Sequence, residues 1–224
     1  MQNLAQLLSK DEIFKYLPSK EIESLVDQSI HRKLTRGEYL CHQGEEWPYA
    51  LYVSRGQLRW AILSVSGREQ VLFKVDHGHS FWGHSLFDER PMPGSLNAIT
   101  PSNVYIWPRS TLVPILNRNP TVLWALLCRQ TDIMRRAREV IYGLAFSPVA
   151  GRLARLLLDE TTGQEGQVVQ RGMTLNEIAA TISTSQEVVC RLLYQFHADN
   201  MIELNRANYF IKDRSALEKM IEKA

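Results

Sequence analysis

Apolar positions change their spacing twice along the chain. After a helical start, Leu40, Ala50–Val53, Leu58–Leu63, Gln70–Phe73 and Val104–Trp107 form short runs rich in β-branched and aromatic residues. Gly37, Gly44, Gly56, Gly67, Gly78 and Gly83 punctuate them. Short strands at intervals of about 8–12 residues, with turn signals between them, predict a closed or rolled antiparallel sheet. The pattern then turns helical. Asn119 is read as a cap and Pro120 as the first turn of a helix that runs without a breaker to Gly143 or beyond. At about 1.5 Å per residue, roughly 25 residues span close to 40 Å. Leu123, Leu126, Gln130, Ile133, Ala137, Val140 and Leu144 follow a 3–4 repeat on it, with Leu127, Met134 and Ile141 on a second line beside them. A stripe this wide can pack on its own domain and against the same helix of a second copy, polar Gln130 setting register. A hinge is expected over Gly143–Phe146, with Ser147-Pro148 capping a further helix over Val149–Asp159.

The third pattern, from Met173 to Ile202, is the most specific. Thr174 with Glu177, and Thr184 with Glu187, read as two capping boxes ten residues apart. Behind the first, Leu175, Ile178, Ala179 and Ile182 share a face; behind the second, Val188, Val189, Leu192, Leu193 and Phe196 do. Two short helices joined this tightly predict a helix-turn-helix, whose second helix presents its N-terminal side chains to a DNA major groove. Ser185, Gln186, Glu187, Cys190, Arg191 and Tyr194 leave the core face. Arginine bonds guanine bidentately, glutamine bonds adenine and glutamate accepts from cytosine, so Gln186, Glu187 and Arg191 are the candidate base readers. Thr184 and Ser185 suit a phosphate at the helix start. Residues Ile202–Ile211 read as a two-stranded wing about a turn at Asn205–Asn208, with Arg206 at its tip against the DNA backbone.

Charge complicates this reading. From Val149 onward there are nine Lys/Arg and ten Asp/Glu. Phosphate neutralisation supplies most non-specific DNA affinity, so positive charge must be local, at Arg171, Arg191, Arg206 and Lys212, and binding is expected to depend on dimerisation. The 224 residues, 45% hydrophobic and 22% charged, suffice for two small domains of an ordinary globular protein. No apolar run approaches a membrane span and no signal peptide is read at the start, so a cytoplasmic protein is expected. Cys41, Cys128 and Cys190 form neither a disulfide framework nor a metal-ligand spacing, and Cys128 or Cys190 remains open as a redox site. No Gly-x-Ser-x-Gly, Walker loop or His-Glu-x-x-His occurs, so no enzyme activity is expected.

A β-roll, a long helix and a winged helix-turn-helix, in that order, resemble the Crp/Fnr family of bacterial transcription regulators. The resemblance runs through Arg36-Gly-Glu38 with Gln43-Gly-Glu45, Leu51-Tyr-Val with Gly56, Ser66-Gly-Arg-Glu69, Gly78 with Phe81-Trp-Gly83, and Asn119-Pro120. It continues through Gly143-Leu-Ala-Phe146, Gly151-Arg152-Leu153, Ser185/Glu187/Arg191 and Asn200-Met-Ile202. It implies an α+β chain with an effector or sensor domain over 1–118, a dimerisation helix and hinge over 119–146 and a DNA-binding domain over 147–224. It also implies a homodimer on a near-palindromic operator in double-stranded DNA, contact with RNA polymerase and control by a small-molecule effector. Gln186 stands where cAMP-responsive members have Arg, and Ser183 replaces the glycine common in the turn.

In that family a Glu holds the ribose of cAMP, and an Arg followed by Ser neutralises the cyclic phosphate. The pocket expected here is Trp82, Gly83, His84, Ser85, Gly94, Ser95 and Arg138. The Glu position is His84 and the Arg position is Gly94, while Ala137 and Arg138 replace two hydroxyls on the long helix. Losing the fixed cation removes the charge-assisted bonds to a phosphate, which argues against cAMP. Arg90 or Arg138 keeps another anionic effector open. No cofactor is expected; the alternatives are haem or a metal at His77, His79 and His84, in a gas or redox sensor, and a ligand-binding module without DNA activity.

Overall fold

The structure is a computed structural model that describes residues 4–65, 67, 69–162, 168–170, 172–205 and 208–222. Arg171 and Arg206, expected at the DNA, lie outside the described residues, as do Ser66 and Arg68 of the Ser66–Glu69 motif. The chain divides into two compact units, one ending at Arg135 and one beginning at Arg136, with a short piece near residue 70 assigned to the second.

The first unit opens with helix α1 (Leu4–Leu8), a 3₁₀ turn over Phe14–Tyr16 and helix α2 (Ser19–Asp27). Strands β1 (Ile30–Leu34), β2 (Tyr39–Cys41), β3 (Tyr49–Arg55), β4 (Gln57–Leu63), β5 (Glu69–Asp76) and β6 (Ser80–Trp82) follow. Next come a one-turn helix α3 (Ser85–Asp88), β7 (Ser95–Ala98), β8 (Ser102–Pro108), helix α4 (Arg109–Arg118) and the start of helix α5 (Pro120–Phe146). Two four-stranded sheets, ordered β1-β8-β3-β6 and β2-β7-β4-β5, make the expected roll. Strands β1, β6 and β7 escape the sequence reading. β1 carries exposed His31, Arg32 and Lys33, and β7 mixes Leu96 with buried Ser95 and Asn97, so neither has an apolar alternation.

Strand β3 is apolar from Tyr49 to Val53 because both of its faces are covered there. Ala50 and Tyr52 join the cluster that packs under α1, α2, α4 and α5, with Phe14, Trp82 and Trp107. Leu51 and Val53 face the roll interior with Leu58, Trp60, Phe81, Leu96 and Ile106. Period-two alternation along one strand thus feeds two cores. The helical layer is tied down by polar bonds as well: the Trp107 indole donates to the Leu25 carbonyl at 2.7 Å, and buried Asp11 accepts from the Ile13 and Phe14 amides.

Helix α5 is one unbroken element of 27 residues. Its start differs from expectation, because the Asn119 amide side chain reaches back to the Ile115 carbonyl at 2.8 Å and closes α4 rather than capping α5. Gly143–Phe146, expected as a hinge, is the last turn of the helix, and the Ser147 amide still bonds to the Gly143 carbonyl. The break falls at Ser147-Pro148. Pro148 stands at the N-cap of helix α6 (Val149–Glu160), and no side chain caps that helix there.

The second unit continues with β9 (Val169–Gln170), α7 (Leu175–Thr181), α8 (Gln186–Ala198), β10 (Ile202–Leu204), β11 (Asn208–Ile211) and α9 (Arg214–Glu222). Its three strands pair in the order β10-β11-β9. Leu153, Leu157, Ile178, Val189, Leu193, Phe196, Ile202 and Leu217 build one core beneath helices and wing.

Candidate nucleic-acid interface

The first capping box forms. Thr174 Oγ1 accepts from the Glu177 amide at 3.2 Å, while the Glu177 carboxylate accepts from the Thr174 amide at 2.7 Å. The chain leaves α7 through Ser183 in the left-handed region, at φ +54°, where most such turns favour glycine. The second box is corrected. α8 is capped by Ser185, one residue later than expected, whose Oγ accepts from the Val188 amide at 3.4 Å. The Thr184 amide instead bonds back to the Ala179 carbonyl. Glu187 therefore sits in the first turn, and its carboxyl is held below the usual range by the Ser185 hydroxyl and by its own backbone amide.

Val189, Leu193 and Phe196 anchor α8 in the core, which turns Ser185, Gln186, Glu187, Arg191 and Tyr194 outward and leaves Thr184 and Cys190 half-buried. The wing strands pair Ile202 with Ile211 and Leu204 with Tyr209, and the turn closes on Asn205, whose side chain accepts from the Asn208 amide. Lys212, expected to supply local positive charge, faces Glu203 at 3.5 Å.

Arg152 of α6 organises the turn, a role that the sequence shows only as a family motif. Its Nε donates to the Ile182 carbonyl at 2.9 Å, Nη1 to Ser147 at 2.7 Å and Nη2 to Ser183 at 3.4 Å. Burial lowers its pKa from the ordinary arginine value. One guanidinium thus satisfies carbonyls from the end of α5, the end of α7 and the turn before α8.

On α5, Leu126 is corrected: together with Val122 it is buried in its own unit, beneath α1, α2 and α4. Gln130, Ile133 and Val140 are half-buried, while Leu123, Ala137 and Leu144 are exposed. The most exposed apolar line is the second one. Leu127, Met134 and Ile141 are 55%, 73% and 65% exposed at seven-residue spacing, flanked by Trp124 and Tyr142.

Of the expected effector pocket, Trp82 is corrected. The Trp82 indole points into the helical layer, packs on Phe14 at 5.3 Å and donates to Ser80 Oγ, so it does not line the roll interior. Gly83 bonds to the Tyr49 carbonyl, and a Cβ there would stand 2.7 Å from the Trp47 ring. Ser85 donates to the Arg90 carbonyl at 2.5 Å and accepts from the Trp47 amide. Ser95 accepts from the Gln43 amide at 2.9 Å. Gly94 lies against Trp60: a Cβ would meet the indole at 3.0 Å and the Ala61 carbonyl at 2.7 Å. The His84 imidazole stacks on the same indole at 5.6 Å and 14°, and burial lowers its pKa, opposed in part by Asp88. Arg138 belongs to the second unit and pairs with Glu139 beside it.

His84 and Gly94 supply no fixed cation for a cyclic phosphate. The two positions where the family's phosphate and ribose ligands would stand face an aromatic ring, and both serines are already bonded to backbone. The histidines do not converge either. His79 faces Glu12 at 3.8 Å, and no group of three His, Cys, Asp or Glu able to hold a metal occurs among the described residues. Cys41 is buried, which pushes its thiol up to about 12; Cys128 is exposed and Cys190 half-buried. No described helix is long and apolar enough to cross a membrane.

Residues 31–119 match the family described as a cyclic nucleotide-binding domain, and residues 151–220 match the Crp-like helix-turn-helix domain. The CRP-like cAMP-activated global transcriptional regulator of Mycobacterium tuberculosis is 26% identical over 219 residues, 96% of this chain and 98% of that protein. The cyclic AMP receptor protein of Thermus thermophilus is 25% identical over 211 residues, covering 93% and 95%. Among solved structures, the c-di-GMP responsive global regulator CLP of Xanthomonas campestris superposes with a TM-score of 0.77 at 19% identity, over 87% of this chain and 99% of that one.

Proposed function

We propose a function for a chain that belongs to the Crp/Fnr family of transcriptional regulators: a homodimeric, sequence-specific DNA binder whose controlling signal is not cAMP. The coarser statement, a Crp-like DNA-binding regulator with a domain of the cyclic nucleotide-binding type, rests on the matches over both halves of the chain. The observation that carries the finer one is the outward row Gln186, Glu187 and Arg191 on a helix opened by Ser185. Arg191 would read guanine, Gln186 adenine and Glu187 cytosine, with Ser185 and Thr184 at phosphates.

From Val149 onward acidic residues outnumber basic ones by ten to nine, so one copy alone binds DNA weakly, and two copies joined along α5 supply the affinity. The line Leu127, Met134 and Ile141 is the seam for that pairing, an exposed apolar row at the heptad spacing of a coiled coil. A two-fold dimer places its recognition helices in successive grooves, which requires a near-palindromic site. RNA polymerase is the partner that a regulator of this kind engages, the cytoplasm is its place, and no enzymatic role is proposed.

Selection of duplexes from a random pool by the intact protein tests this reading. The expected result is an enriched inverted repeat with half-sites about one helical turn apart. An unenriched pool would refute it.

A further inference from the structure

A side chain fills the part of the roll where a ligand would sit. Trp60 projects inward from β4, is 2% exposed and packs on Phe81 at 5.3 Å. It stands between the two positions where relatives of the cAMP-binding kind would hold the nucleotide. Gly94 abuts one part of the indole and His84 stacks on its face. A side chain at position 94 would have to displace both the indole and the Ala61 carbonyl. Gly94 is required first by the Ala61 carbonyl, and the Trp60 indole tightens the same space.

We infer that Trp60 is a built-in occupant of the nucleotide pocket, so that the DNA-binding form of this regulator assembles with no ligand in the roll. This rests on the DNA-binding reading above and deepens its regulation. An apolar ring in a close-packed interior makes the contacts that a purine would otherwise bring, and it does so permanently. The roll cannot then be switched by ligand arrival, because a ligand shifts an equilibrium only through differential affinity for its two states. Any small-molecule control of the protein enters outside this pocket.

The intact protein and its Trp60→Ala variant test the inference. Thermal melts of the unmodified protein with cAMP, cGMP or cyclic di-GMP should show no rise in Tm, whereas a bound ligand in excess stabilises the fold. Trp60→Ala should lose about tenfold or more in affinity for the selected operator, on the scale of allosteric couplings, and should recover on adding indole, which fits the vacated apolar space. A rise in Tm with any of the three nucleotides would overturn the inference. So would a Trp60→Ala protein that binds operator as tightly as the unmodified one. If Trp60→Ala does not fold, Trp60→Leu is read in its place, and the melts of the unmodified protein remain decisive. Failure to select an operator would count against the DNA-binding reading alone, since the melts need no DNA.

Discussion

Arg152 donates to the carbonyl of Ile182 at 2.9 Å, and through that bond the first helix after the break at Ser147-Pro148 holds the turn that aims α8. The same guanidinium reaches Ser147 and Ser183, so removing it strands several acceptors at once. Hydrogen bonds from a charged donor contribute about 1.5–3 kcal/mol each, and the losses overlap, so Arg152→Ala should destabilise the second unit by about 3 kcal/mol. Urea unfolding followed by circular dichroism measures it; a loss below about 1 kcal/mol would remove Arg152 as the organiser of the turn.

Ser183 adopts φ +54° between α7 and α8. The left-handed conformation costs an L residue about 1–2 kcal/mol, and glycine escapes that cost while losing more entropy on folding. Ser183→Gly should raise stability by about 0.5–1 kcal/mol, read as a higher urea midpoint. Operator affinity should not change, because the turn keeps its geometry.

Arg191 is exposed on α8, so Arg191→Ala should leave the fold intact. Loss of one bidentate guanine contact costs about 1–3 kcal/mol, roughly 5- to 150-fold in operator affinity, and relaxes preference at a single base pair of each half-site. Titration against operators substituted at each position checks it. A uniform loss across all sequences would reassign Arg191 to the phosphate backbone.

Leu126 and Met134 lie on one helix and should respond oppositely. Leu126 is 4% exposed within its own unit, so Leu126→Ala should cost about 2–5 kcal/mol of stability. Met134 is 73% exposed, so Met134→Glu should leave the monomer's stability nearly unchanged and abolish the dimer. Analytical ultracentrifugation separates the two; a Met134→Glu protein that stays dimeric would move the seam elsewhere.

His84 gives the roll a pH dependence with a definite sign. Partial desolvation disfavours the imidazolium, opposed in part by Asp88, so the folded pKa lies below the ordinary 6.5 although the side chain keeps an exposed edge. As pH falls through about 6.5 the unfolded chain takes up the proton first, and stability declines until the folded pKa is passed. Melts from neutral to acidic pH should show this decline in the unmodified protein and a shallower one in His84→Gln. Equal slopes would place the titrating group elsewhere.

Features set by neighbours in the chain are legible in the sequence alone. The Thr174–Glu177 box and the length of α5 depend on hydrogen bonds and periodicity within a few residues, and the strands rich in Val, Leu and Trp carry their own alternation. The core face of α8 follows the same rule, since Val189, Leu193 and Phe196 recur at helical spacing. Tertiary structure decided the rest. Which side of α5 the helical layer covers, and hence that Leu126 is buried while Leu127 is free, depends on how α1, α2 and α4 pack. The one-residue shift of the cap from Thr184 to Ser185 follows from the left-handed turn at Ser183. The meeting of Trp60, His84 and Gly94 needs the pairing of β4 with β7, in which Trp60 stands opposite Leu96. Sheet register joins residues far apart in the chain, and no local pattern encodes which ones will touch.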